Sequence, residues 1–132
     1  MAGIETIDTN LVNREIRRFT DRIGMPNVPD FDPDKALIFG TAGGRISLEL
    51  DKNRTCLIVS FANKPVTGYV DETLKLALEK SVFKGEIVLT AMYVDPYVIL
   101  STVLNNQEIE AVRLENVLRR LIQLWEEIRD GQ

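Results

Sequence analysis

The spacing of apolar residues changes several times along the chain, and each change marks an element. After three good helix-capping residues, Asp8, Thr9 and Asn10, apolar side chains fall at Leu11, Val12, Ile16, Phe19 and Ile23. That spacing predicts an amphipathic helix with Arg14, Arg17, Arg18 and Asp21 on its polar side. Gly24 and Pro26 stop it, since glycine tolerates the left-handed turn after a helix and proline cannot continue one. Residues 27–35, with Pro29, Pro33 and three aspartates, are expected to form a loop. From Ala36 the period becomes two. Residues 37–39 predict a short strand, 40–44 a turn, and 45–50 a second strand with Ile46, Leu48 and Leu50 on one face. A turn at Asp51-Lys52-Asn53 leads to a third strand over 55–62. Connections this short imply an antiparallel meander.

Pro65 and Gly68 break the strand pattern. Asp71 is placed to cap a second helix, with Leu74, Ala77, Leu78 and Val82 on its apolar face and Lys84-Gly85 at its end. Residues 86–94 and 97–104 predict two more strands around an Asp95-Pro96 turn. In the first of them Val88, Met92 and Val94 share one face, and Ile87, Leu89 and Tyr93 share the other. Strands apolar on both sides are expected to be covered on both sides. A long helix over about 107–129 closes the chain. Its apolar face is read as Ile109, Val112, Val117, Leu118, Leu121, Ile122, Trp125 and Ile128, with Leu114 and Leu124 off its centre. The order is α-β-β-β-α-β-β-α. The expected fold class is α+β, an antiparallel sheet of about five strands with helices, forming a single domain over 1–132.

Composition narrows the function. The chain has 132 residues, 45% of them hydrophobic and 27% charged, as a folded domain does and a disordered chain does not. Its net charge of −4 argues against nucleic acid, which needs a strong positive field. The arginines at 14, 17, 18 and 22 are read as the solvated face of the first helix. Cys56 is the only cysteine, so no disulfide within the chain is possible, and it sits in an apolar run as a small hydrophobe. With no leader pattern at Met1-Ala2-Gly3 and no apolar stretch long enough for a bilayer, the expected location is the cytoplasm, without membrane insertion.

Candidate chemistry is scarce. There is no histidine, which removes the commonest general base and metal ligand, and with it every Ser-His or Cys-His pair. Gly40-Thr41-Ala42-Gly43-Gly44 lacks the lysine and the following helix of a phosphate loop and is read as a hairpin turn. Asp30, Asp32 and Asp34 alternate like the start of a calcium loop, but Pro33 interrupts them and the glycine and distal glutamate are missing. No metal, no cofactor and no catalysis are expected. What stands out is apolar surface beyond the needs of one small core, in the first helix and in the two later strands. That surface points to a two-fold contact and to a groove for a protein partner.

The stretch Phe19-Thr20-Asp21-Arg22-Ile23-Gly24-Met25-Pro26, a helix with an Ile-Gly-Met-Pro exit, resembles the class I chaperones of bacterial type III secretion systems, the Tir-chaperone-like group. The small acidic chain, its element order and the closing helix with Leu118, Leu121, Ile122 and Trp125 are similar to that family, over about Asp8 to Ile128. The resemblance implies a homodimer that binds a segment near the amino terminus of a secreted effector and keeps it extended, without ATP or a covalent step. Transferred by position, it implies an effector groove at Leu11, Val12, Ile16 and Phe19 with Ile38, Ile46, Leu48 and Leu57. It implies a dimer contact at Leu74, Leu78, Val88 and Met92. The alternatives are an anti-activator of the same fold that sequesters a regulator, and a sensory domain that takes a small molecule.

Overall fold

The computed structural model describes residues 6–41, 43–65, 71, 72, 74, 75 and 89–130. The first helix, α1, spans Thr9–Arg22, and the Asp8 carboxylate caps it by accepting from the Asn10 and Leu11 N–H groups. It ends at Ile23, and Gly24 follows with φ +79°, a conformation that only glycine adopts without strain. The meander is present as β1, Leu37–Thr41, β2, Gly44–Leu50, and β3, Cys56–Asn63. Strands β4, Thr90–Val94, and β5, Tyr97–Asn105, follow, and the closing helix α2 spans Ala111–Asp130. Asp71, Glu72, Leu74 and Lys75 have helical backbone, as the sequence pattern predicts. Ala77, Leu78, Val82, Ile87 and Val88 lie outside the described residues.

All pairings are antiparallel, in the order β1-β2-β3-β5-β4. Two loop devices set the register of the meander. At the β1–β2 hairpin, a Cβ on Gly44 would stand 2.8 Å from the Phe61 ring, so only glycine lets β3 bring that ring into the core. At the β2–β3 turn, the Asp51 carboxylate accepts from the Thr55 N–H (2.6 Å), the Thr55 hydroxyl (2.7 Å) and the Cys56 N–H (3.0 Å). Arg54 sits in the left-handed region there, at φ 55°. Its carbonyl accepts from the Ile7 N–H, which anchors the strand-like approach to α1 against the turn.

Helices α1 and α2 lie on one face of the sheet. Leu37, Phe39, Ile46, Leu48, Leu57, Val59, Phe61, Val98, Leu100 and Leu104 point into that face and are buried beneath Val12, Ile16 and Phe19 of α1 and the apolar stripe of α2. Burying each large apolar side chain contributes about 1.5–3 kcal/mol before entropy is counted. The stripe of α2 runs Leu114, Val117, Leu118, Leu121, Leu124, Trp125 and Ile128. Leu114 and Leu124 are therefore central to it, whereas Val112 faces outward. The expected helix began at 107; instead Asn106–Glu108 form a 3-10 turn, closed by a reciprocal capping box between Asn105 and Glu108. Ile109 is extended, so α2 begins at Ala111 and its stripe starts from a later residue.

The arginines of α1 are not simply a solvated face. Arg17 donates to the carbonyls of Pro26 and Val28 and pairs with Asp30, which folds the proline-rich loop back on the helix. Arg22 reaches Glu115 of α2 at 2.7 Å. On the same helix Glu15 is buried, at 6% exposure. One of its carboxylate oxygens accepts from the Ala111 N–H at 3.1 Å, and the other faces Arg14 at 3.1 Å and Arg18 at 3.3 Å. The first turn of α2 carries no acidic residue of its own, so α1 supplies the anion that its orphan N–H groups and dipole favour.

Two carboxylates thus titrate against the fold. Burial pushes the Glu15 carboxyl up, but the Ala111 N–H and the two arginines outweigh it and leave it below the usual range. The Cys56 N–H, opposed by burial and helped by Thr55, holds the Asp51 carboxyl down as well. A group with a lowered folded-state pKa binds fewer protons folded than unfolded. The stability it contributes is complete above the unfolded pKa and is lost as pH falls through the folded one. We expect urea midpoints to drop on acidification through the carboxylate range, with Glu15→Gln and Asp51→Asn each flattening that slope; equal slopes would refute the assignment. At neutral pH, Glu15→Ala should cost about 2 kcal/mol, because it strands the Ala111 N–H, and Glu15→Gln less, because it keeps an acceptor.

Candidate functional site

With α1 and α2 on the inner face, three features are left uncovered by the described elements: the edge of β1, the outer face of the sheet and the margin at β4. Among the described residues β1 pairs only with β2, and its other side presents backbone groups that no described strand takes up. Two hollows lie along that side. One, of about 610 Å3, is lined by Ile23, Met25, Gly40, Thr41, Leu118 and Ile122, with Glu115 and Arg119 at its rim. Glu115 is held between Arg22 and Arg119, the latter at 2.9 Å. The other, of about 390 Å3, is formed by Met25, Pro26, Val28, Pro29 and Phe39. The Gly24 turn and the loop pinned by Arg17 shape both, because they swing Met25 and Pro26 beside the strand. A strand added to β1 would find backbone partners along the edge and apolar sockets for alternate side chains.

The outer face is the second feature. Ile38, Ser47, Ser60 and Ser101 stand in one row across β1, β2, β3 and β5, and the Ser60 and Ser101 hydroxyls share a hydrogen bond of 2.8 Å. Larger side chains flank that row, and four of the apolar ones on this face are well exposed: Ile38 59%, Met92 49%, Val94 53% and Val103 49%. The two-sided covering expected for the later strands is thus absent among the described residues. At β4 the exposed Met92, Tyr93 and Val94 form a third apolar margin. Leu74 is half-buried against the core.

The eight residues placed in the groove by resemblance do not form one surface. Val12, Ile16, Phe19, Ile46, Leu48 and Leu57 are all buried between the sheet and the helices. Side chains that fill the core cannot also present themselves to a partner, so their role is packing. Leu11 is half-buried, and Ile38 alone is freely exposed. Of the dimer set, Met92 is exposed, Leu74 is half-buried, and Leu78 and Val88 fall outside the described residues. Sequence reading missed the sockets beside β1, although Met25 and Pro26 belong to the stretch that carries the resemblance. It also missed Glu15, whose position among Val12, Ile16 and Phe19 on the apolar side of α1 was the available signal.

Nothing in the described residues adds reactive chemistry. Burial and the neighbouring Asp51 push the Cys56 thiol up, away from reactivity. No group of three carboxylate or thiol residues there could hold a metal ion. Asp30 and Asp34 are each paired with an arginine, Arg17 and Arg54, and Asp32 caps its own loop by accepting from the Asp34 N–H. No helix among the described residues is long and apolar enough to cross a membrane.

No family model matches the sequence, and no curated protein matches it either. Solved structures do match. A chain of the HopA1–SchA chaperone–effector complex superposes with TM-score 0.72 at 11% identity, over 92% of this chain and 95% of that one. A chain of the Yersinia pestis complex between the type III secretion chaperone SycH and a stable fragment of YscM2 gives 0.64 at 16% identity, over 89% and 98%. YbjN from E. coli gives 0.54 at 13% identity, over 86% and 84%. Identities this low with coverage this complete speak for the backbone arrangement: the chain has the α+β fold found in type III secretion chaperone complexes.

Proposed function

We propose that this chain is a secretion chaperone of the class I type, a homodimer that holds a segment near the amino terminus of an effector protein and keeps it secretion-competent. The observation that carries the reading is the free edge of β1 with apolar sockets beside it, on a fold shared with chaperone–effector complexes. An extended segment there satisfies its backbone along β1 and buries alternate side chains against Met25, Ile122 and their neighbours. Such binding favours the unfolded segment over its folded form and needs no turnover. In this reading the second copy meets the β4 margin, with Leu74, Leu78, Val88 and Met92 in the contact, and the protein acts in the cytoplasm.

Capture of the tagged protein from its native cells, followed by mass spectrometry, is the first test. The expected result is one or a few larger proteins held through a segment near their amino termini; proteins held through folded domains would refute the reading. With such a partner in hand, Met25→Glu with Ile122→Glu should weaken binding about tenfold or more, equivalent to at least ~1.4 kcal/mol. Because both side chains are half-buried against the core, a melting curve close to that of the parent chain is the check that binding and not folding is lost. Light scattering should give twice the 15.0 kDa of one chain. A monomer mass at micromolar concentration would remove the dimer from the proposal.

A further inference from the structure

The outer face of the sheet differs from the β1 edge in what it can offer a partner. The row of small hydroxyls at Ser47, Ser60 and Ser101 forms the floor of a groove of about 420 Å3. Ile58 on β3 stands on one side of the row, and Ile99 and Met92, in register on β5 and β4, stand on the other. The strands beneath the floor, β2, β3 and β5, each have a hydrogen-bonded neighbour on both sides. No backbone donor or acceptor is left there for an extended peptide, whose own N–H and C=O groups would lose water and gain nothing. A helix arrives with its backbone already satisfied and with an apolar stripe that suits a trough between raised side chains.

Charge adds a direction. Where β3 leaves the sheet, Arg45 and Lys64 both stand over the ring of Tyr97, at 5.1 Å and 5.9 Å from its centroid. Neither makes an ion pair among the described residues, and both are exposed. Asp95 is the one carboxylate lining the groove at this end, and it is engaged by the Tyr93 hydroxyl at 2.6 Å. Glu49 lies along β2 on the far side of Ser47. Two cations face one occupied carboxylate, in a chain whose net charge is −4. An aromatic platform that gathers two positive groups at the mouth of an apolar trough suits a carboxylate from outside.

We propose that the outer sheet face docks an amphipathic helix of the partner protein, its apolar stripe over Ile58, Ile99 and Met92 and an acidic residue opposite Arg45 and Lys64. This deepens the chaperone reading and rests on it: one partner would be held in two conformations, extended at β1 and helical across the outer face.

Panning the purified chain against displayed random peptides, long enough for several helical turns, separates the two sites. The expected winners carry apolar residues at three-to-four spacing with Asp or Glu at one end. Their affinity, read by fluorescence anisotropy, should fall about tenfold on Arg45→Glu with Lys64→Glu, fall also in high salt, and stay unchanged in the Met25→Glu, Ile122→Glu protein. Both charge reversals are at exposed positions, and an unchanged melting curve checks that the fold persists. Winners with alternating apolar residues, insensitive to the charge reversals but lost with the socket substitutions, would overturn the helix site and leave the β1 reading standing. Absence of any helical winner overturns it as well. So does conversion of a dimer to a monomer by Ile99→Glu, since a second copy would then be the occupant.

Discussion

A single carboxylate decides how the two halves of this molecule face each other. Glu15, on the buried side of α1, reaches across ninety-six positions of sequence to accept from the first N–H of α2. Arg14 and Arg18 hold its second oxygen, so the buried charge is compensated on every side. The helix start it serves favours an anion and carries no acidic residue in its own first turn. Coulomb and hydrogen-bond terms therefore select, among the ways the apolar core could pack, the geometry in which α1 and α2 lie side by side over the same sheet face. Arg22 and Glu115 repeat the link at the solvent rim, where it is weaker because water screens it.

The rest of the surface follows from that placement. Two helices on one face consume the alternate residues of every strand that point inward, from Leu37 to Leu104. They leave the other alternate set, with Ile38, Met92, Val94 and Val103, without a cover from the described helices. The same placement sets the end of α1 beside β1. Gly24 turns the chain there, and the loop that Arg17 holds comes to rest against Phe39. The edge of β1 is thus left unpaired by the described strands and yet bordered by apolar hollows. An edge this available is ordinarily an aggregation hazard. On a chain that binds extended segments, as proposed for this one, it would be the working part.

Much of this architecture was legible in the sequence, because period and punctuation are local. Asp8 as a cap, Gly24 as a stop and the alternation at Ile46, Leu48 and Leu50 required no knowledge of the rest of the chain. What was not legible depends on three-dimensional neighbours. An apolar stripe does not say whether it meets a core or a partner, so Val12, Ile16 and Phe19 looked as suitable for a groove as for packing. A glutamate within that stripe looks like noise until the start of another helix arrives against it. The α2 stripe shifted for a related reason. Once Asn105 and Glu108 close a tight turn on each other, the helix cannot begin before Ala111, and Leu114 rather than Val112 faces the sheet.

The two open surfaces differ in a way that bears on how a holdase discriminates. An edge strand recognises mainly backbone, which every sequence has, and so selects for extension rather than identity. Sockets such as the one between Met25 and Ile122 add a preference for bulk at alternate positions, worth about a kcal/mol or two each. A sheet face has no spare backbone groups and recognises only side chains, their spacing and their charge. Put together on one small protein, the edge would keep a segment unfolded and the face would decide which segment is kept. Because the Arg45 and Lys64 end of the face is exposed, its share of the selection would act mainly on encounter and register and would weaken with salt. The apolar sockets beside β1 would be nearly indifferent to it. Salt dependence of binding therefore separates the two contributions in a single partner, without any substitution in the protein.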